Sequence, residues 1–211
     1  MSKEQHAGNS RAGQTDRRRG ELLDAARQVV LDRGMASARI ADVAKATNVS
    51  GGLVHYHFAT KDELMAEMLR ASSEAERKQL ARLVEADASA LDRLDRVMRY
   101  YIPSTRADQS WILWIEAWAA SLRAPAMRAI LLELERAWLK ALERVIRDGV
   151  AAGEFTCPDP VSAAERLDAL LDGLMVRNTV HPGAIPRKRL LEHVRTAAAR
   201  EVGLRREDFP A

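Results

Sequence analysis

The 211-residue chain reads as all-α. Three observations carry that reading. Apolar residues recur at the i, i+3, i+4 and i+7 spacing of a helix along almost every segment beyond Arg17. The periodic segments are separated by helix punctuation, among it Gly34, Pro103, Pro125, Gly153, Pro160 and Pro186. No Val/Ile/Thr-rich alternating run of strand character occurs.

The elements follow in order. Residues 1–16 are polar and are expected to form a disordered arm. From Arg17 a first helix carries Leu22, Ala26, Val29 and Val30 on one face and stops at Gly34. A short second segment, Ile40 to Thr47, has Ser37 as its expected N-cap, and Asn48 suits a left-handed turn. Ser50 then caps a third short segment. Thr60-Lys61-Asp62-Glu63 reads as a capping box, followed by a stripe of Leu64, Met68, Ala71 and Ala75 to about Leu83. Further helices are expected over Ser89–Tyr101, Ala107–Leu122 and Ala126–Ala152. Asp159-Pro160 is an N-cap followed by proline at the first helical position. It opens a helix to about residue 180, and Pro186 opens the last one, to about 202.

Composition narrows the function classes. Apolar residues make up 47% of the chain, enough for a substantial core. No apolar run reaches the roughly 18 residues of a membrane span, and the polar N-terminus lacks the apolar core of a secretory signal. Cys157 is the single cysteine, so no internal disulfide forms and a reducing cytoplasm is expected. Net charge is +3, unevenly distributed: residues 1–61 hold 10 Lys/Arg against 6 Asp/Glu. A basic N-terminal end on a near-neutral body points to a polyanion at that end.

The stretch S-G-G-L-V-H-Y-H-F (residues 50–58) carries the most specific signal. His55 and His57 are two residues apart, which on a helix aims them about 200° from each other. A zinc pair needs i, i+4 spacing, so no metal is expected. Gly51-Gly52 argues against a strand. A short helix, a tight turn and a second short helix that starts with two glycines make a helix-turn-helix, whose second helix enters the DNA major groove. Glycines there let backbone approach the duplex, and the free N–H groups favour a phosphate.

Residues 17–64 resemble the DNA-binding region of the TetR family of one-component bacterial regulators. The resemblance rests on R-R-G-E-L-L-D-A-A-R-Q-V-V-L-D-R-G, I-A-D-V-A-K-A-T-N-V-S, G-G-L-V-H-Y-H-F and K-D-E-L. It implies a three-helix helix-turn-helix domain over 17–62 and a larger helical domain over 63–211 that binds a small molecule and dimerises. Ile40, Val43, Ala44, Val49, Val54 and Phe58 are then packing residues. Ser50, Gly51, Gly52, His55, Tyr56 and His57 lie on or near the DNA face, with Tyr56 and Lys61 as implied phosphate contacts. His55 and Gly51 sit where bases are approached, and Arg39 and Lys45 add phosphate contacts. The family often has a small polar residue where this chain has Leu53 and a tyrosine where it has His55, so the bases read stay open. Arg11, Arg17, Arg18 and Arg19 of the arm and first helix are expected to be solvated, with minor-groove insertion as the alternative.

In the C-terminal part, S-W-I-L-W-I-E-A-W places Trp111, Trp114 and Trp118 on one helical face, with Glu116 off it. The stripe is either core or one wall of an effector pocket. An aromatic wall with a carboxylate suits an organic cation. W-I-E-A-W-A-A-S-L-R-A-P-A-M-R-A-I is similar to the branch of the family that includes choline-responsive repressors of betaine synthesis. Met98, Tyr101, Met127, Trp138, Met175 and Asn178 are further candidate pocket residues. The resemblance implies that the last two long helices pair with a symmetry mate in a four-helix bundle. Ala164, Leu167, Leu171, Gly173, Leu174, Leu190, Val194 and Ala197 are its expected interface. Such a two-fold dimer sets recognition helices about 34–36 Å apart on a palindromic operator. The chain is thus expected to be a cytoplasmic, homodimeric repressor of double-stranded DNA that responds to a small molecule. It is expected to have no cofactor, no membrane partner and no catalytic residue. An all-helical enzyme is the rival, but no phosphate loop, Glu-x-x-His pair or nucleophile elbow supports it. A DNA-binding protein without an effector is the other rival.

Overall fold

Helix-forming periodicity is realised throughout the described residues, 3–103 and 109–210, with side chains described from Gly13 onward. The computed structural model contains, among these residues, helices α1 Lys3–Arg33, α2 Ile40–Ala46, α3 Gly51–His57, α4 Lys61–Val84, α5 Ala90–Tyr101, α6 Ser110–Ser121, α7 Pro125–Ala151, α8 Pro160–Val180 and α9 Arg187–Glu201. A 3-10 turn at Arg206–Asp208 closes the chain. None of the helices is long and apolar enough to cross a membrane.

Most boundaries follow from the capping chemistry. Gly34 and Gly153 take the left-handed backbone (φ +79° and +75°) that ends a helix with no Cβ penalty. Asn48 takes it too, at φ +53°. Ser89 and Asp159 accept hydrogen bonds from the amides of Asp92 and Ser162, each at 3.1 Å. Thr60 Oγ1 accepts from Glu63 N–H at 3.0 Å, while the Glu63 carboxylate accepts from Ala59 N–H at 2.8 Å.

Three expectations are corrected. The first helix begins at Lys3, not Arg17, so residues 3–16 are helical rather than an arm. The segment contains no proline, and extending a helix that is already anchored needs no new nucleus. The N-cap of α2 is Arg39, not Ser37. Its amide donates to the Asp42 carboxylate at 3.1 Å, so an acid inside the first turn replaces the hydroxyl cap. On α4, Ala71 and Ala75 are exposed, and the buried stripe continues through Leu69, Ser73, Leu80 and Val84. The buried Ser73 hydroxyl is satisfied by the Leu69 carbonyl at 2.9 Å. Ala107, the expected start of α6, lies outside the described residues.

The chain divides into two packing units: Met1–Ser73 with Leu113–Leu131, and Glu74–Ile112 with Leu132–Ala211. In the first, Leu22, Ala26 and Val30 of α1 share a core with Val43, Val54, Phe58, Leu64 and Met68, all at 1% exposure or less. The Arg33–Asp42 pair at 3.0 Å joins α1 to α2. The turn after α1 is held at two points: Met35 N–H donates to Glu116 Oε2 at 2.7 Å, and Lys61 Nζ donates to the Ala36 carbonyl at 2.9 Å.

In the second unit, α8 packs on α9 and α9 on α5. Leu94, Met98, Leu142, Ile146, Leu167, Leu171 and Val194 are all buried. Arg195 of α9 grips Asp95 of α5 with a two-pronged contact at 2.7 and 3.2 Å, and both residues are about 95% hidden from solvent. A buried pair of this kind is satisfied only while both partners are present.

Candidate functional site

The surface around α3 is built from local hydrogen bonds. Ser50 Oγ accepts the Leu53 amide at 3.2 Å, and Val54 and Phe58 are fully buried. Ile40 and Val49 are half-buried beside them. That anchoring turns Gly51, Gly52, His55 and Tyr56 outward, with Tyr56 78% exposed. His57 is half-buried and meets the Tyr56 ring edge-on at 5.2 Å. Arg39 and Lys45 are exposed, as is Ser50. Lys61 is half-buried, its ammonium engaged with Ala36.

Gly51 and Gly52 have no internal reason to be glycine. A Cβ at Gly51 would meet no atom within 4 Å, and one at Gly52 only Ser50 Oγ at 3.8 Å. Glycine is a poorer helix former than alanine even in the first turn, where these two stand. The molecule bears that cost where the surface is open, as close approach by an outside partner requires.

The arginines before this motif are partly used internally. Arg19 pairs with Glu67 at 3.1 Å, and its guanidinium lies 5.0 Å from the centre of the Phe58 ring. Arg18 pairs with Glu21 at 2.6 Å, and Arg17 lies 3.8 Å from the same carboxylate. The Arg11 side chain lies outside the described residues.

The second unit holds a cluster of aromatic and acidic side chains. Tyr101 of α5 meets Trp111 at a ring distance of 5.2 Å and Trp138 of α7 edge-on at 4.8 Å. Tyr100 stacks on the same Trp138 at 6.1 Å. The Tyr101 hydroxyl donates to Asp172 of α8, and Asp168 Oδ1, one helical turn earlier, lies 3.5 Å away. Burial pushes the Asp168 carboxyl up to about 7, reinforced by the charges of Asp172 and Glu135. Burial also raises Asp172, with Glu135 adding to the effect against the Tyr101 hydrogen bond. The Tyr101 hydroxyl is held well above its ordinary range by burial and by the two aspartates. Among the described residues no Lys or Arg forms an ion pair with Asp168 or Asp172. Carboxylates without a countercharge beside aromatic faces are suited to a desolvated organic cation.

The sequence-derived pocket residues are distributed among several places. Tyr101, Trp111 and Trp138 are in this cluster. Trp111, Met175 and Asn178 line an adjoining cleft of about 380 Å³. Met98 is in the core at 1% exposure. Trp114 and Trp118 touch each other, at 6.1 Å, in the first unit. Met127 lines a separate cleft there with Glu116. The Trp stripe is therefore divided between the units. Glu116 is also not the carboxylate of the aromatic cluster, because it is committed to the Met35 amide. Its place is taken by Asp168, Asp172 and Glu135, which the sequence reading missed. The only hint was the i, i+4 spacing of Asp168 and Asp172, which puts both on one face of α8.

The expected dimer residues also separate. Ala164, Leu167, Leu171, Leu190 and Val194 are at 0–2% exposure, within the protomer's own core. Gly173 is exposed, and Leu174 and Ala197 are half-buried.

Comparison with known proteins identifies two matching regions of the chain. The bacterial regulatory protein, tetR family, profile matches residues 22–68, and the BetI-type transcriptional repressor C-terminal profile matches residues 90–203. The HTH-type transcriptional regulator BetI of Rhizobium meliloti (strain 1021) is 29% identical over 171 residues, 80% of this chain and 81% of its own length. A transcriptional regulator of Saccharomonospora viridis, solved in complex with choline, superposes with a TM-score of 0.81 at 24% identity, covering 89% of this chain and 98% of its own. A TetR-family regulator from Rhodococcus sp. superposes at 0.73 with 26% identity, over 88% of this chain and 98% of its own. The chain belongs to the tetR family of bacterial regulatory proteins, with a C-terminal part of the BetI repressor type, and is a DNA-binding transcriptional regulator.

Proposed function

We propose that this regulator is a cytoplasmic homodimer that represses transcription from a palindromic operator and is released when an organic cation enters the Tyr101–Trp138 cluster. The carrying observation is that cluster. Two carboxylates without a countercharge among the described residues, Asp168 and Asp172, share one tyrosine hydroxyl beside two tryptophans. A quaternary ammonium offers charge without hydrogen-bond donors, so aromatic faces and diffuse negative charge suit it better than a metal ion or a sugar. The choline complex of the Saccharomonospora viridis regulator supports the same ligand class. The likeness of the relatives to regulators favours this reading over an enzyme.

Residues 17–62 read the DNA in this proposal, and 63–211 hold the effector and the dimer contact. Gly51, Gly52 and His55 form the base-facing edge, with Tyr56, Arg39, Lys45 and Lys61 near phosphates. Dimerisation would use the outward strip of α8: Ala169, Gly173, Val176 and Val180 fall on one helical face and are exposed or half-buried. A Cβ at Gly173 would meet nothing within 4 Å, which leaves room for a symmetry-related helix.

The test is genome-wide binding-site mapping with and without choline and related cations, followed by release of purified protein from the mapped operator. Release in the wild type and none in Trp138→Ala is expected. Equal release by both would remove the cluster from the mechanism, and no release by any cation in the panel would overturn the ligand class.

A further inference from the structure

The cluster does not end at its aromatic faces. Trp111 is shared with the cleft of about 380 Å³ that Ile112, Met175, Asn178, Pro186 and Arg187 also line. That volume lies within the roughly 300–1,000 Å³ of small-molecule pockets. Among the described lining residues Arg187 is the one that carries charge. Its Nε donates to the Pro103 carbonyl at 3.2 Å, two residues beyond Tyr101. Its terminal nitrogens have no partner among the described residues. Arg187 is half-buried at the first turn of α9, whose N-cap, Pro186, offers no side-chain cap. The helix start therefore adds partial positive charge beside the guanidinium. The tryptophan thus has Glu135, Asp168 and Asp172 associated with one neighbourhood and Arg187 with the other. A simple cation would satisfy the first and leave the second empty.

We propose that the effector is a zwitterion: a quaternary ammonium group joined through a short apolar spacer to a carboxylate or phosphate. The inference rests on the cation reading of the Tyr101–Trp138 cluster. The ammonium offsets part of the aspartates' charge, the spacer lies against Trp111, and the anionic group takes the terminal nitrogens of Arg187 in a charge-assisted contact. Discrimination then comes from both ends, because a ligand lacking the acid leaves a half-buried guanidinium unpaired.

Calorimetric titration of the full chain at pH 8 tests this. The probes are choline, phosphocholine, 4-(trimethylammonio)butanoate and 6-(trimethylammonio)hexanoate. At least one zwitterion should bind about tenfold more tightly than choline, the scale of one charge-assisted hydrogen bond. Arg187→Gln should bring that ratio to about one while leaving the choline Kd within about twofold, and Arg187→Lys should keep much of the ratio. Choline binding as tightly as every zwitterion, or a preference that survives in Arg187→Gln, overturns the zwitterion alone. Failure of all four probes to bind overturns the cation site as well.

Discussion

The recognition surface and the aromatic–acid cluster solve opposite problems. The first occupies one contiguous stretch, and its working groups face solvent: Tyr56 is 78% exposed, and Gly51 has open space where a Cβ would stand. The second draws Tyr101 and Asp172 together across 71 positions of sequence and encloses them in part. An outward surface meets a polyanion whose charge is always present, so it can remain idle at little cost. An enclosed pair of like charges is held at a cost until a proton or a countercharge relieves it. Hydration covers the first site, whereas a proton or a countercharge relieves the second.

The largest effect expected from this comparison concerns neither site. Asp95→Ala should lower stability by about 3–5 kcal/mol, because Arg195 would remain charged and buried. Chemical denaturation measures this, and a change under about 1 kcal/mol would mean that the second unit relaxes far more readily than its packing implies. Next in size, Tyr56→Phe should weaken operator affinity up to about tenfold, the scale of one lost phosphate hydrogen bond. Its melting temperature should stay at the wild-type value, since the hydroxyl has no role in the core. A Tyr56→Phe variant that melts early but binds DNA normally would reverse the contrast between the two regions.

The smallest effect has a pH signature. The Asp168 carboxyl sits at about 7 in the folded chain against an ordinary 3.8. The folded state therefore holds a proton that the unfolded state has released, and stability falls as pH rises from about 4 to about 7. Above that window Asp168→Asn should be more stable than wild type by about 1 kcal/mol when no ligand is bound, a value kept small because the group is only partly enclosed. The same substitution should weaken cation binding. In the wild type, cation affinity should fall as pH drops through 7, because protonation removes the attracting charge. Thermal melts and titrations at pH 6 and pH 8 check both signs. A wild-type protein that becomes more stable between pH 5 and 8 while Asp168→Asn does not would contradict the assigned environment.

Legibility followed the range of the interactions. Ser50, Thr60, Ser89 and Asp159 cap helices whose amides lie three residues away, so reading the string is enough to find them. Arg39 escaped because its cap is made by Asp42 reaching backward, a local alternative to a hydroxyl. The Trp stripe of α6 was read correctly as helical spacing, but its neighbours were not visible in it. Trp111, in the second packing unit, meets Tyr101, while Trp114 and Trp118, both in the first, meet each other. Glu116, which lies off the Trp stripe, holds the Met35 amide, 81 residues away in sequence.

The amino-acid order alone therefore determined that the chain is helical, where most helices end, and which short segment presents glycine, histidine and tyrosine to solvent. Period and capping act within about four residues, and the recognition motif is built from nothing longer. Only tertiary packing decided that Asp168 and Asp172 meet Tyr101 and that Glu116 is occupied elsewhere. It also decided that Leu167, Leu171 and Val194 belong to the protomer's own core. Periodicity tells which face of a helix is buried. Which helix covers that face depends on the rotation and register of distant segments, and no local spacing encodes these.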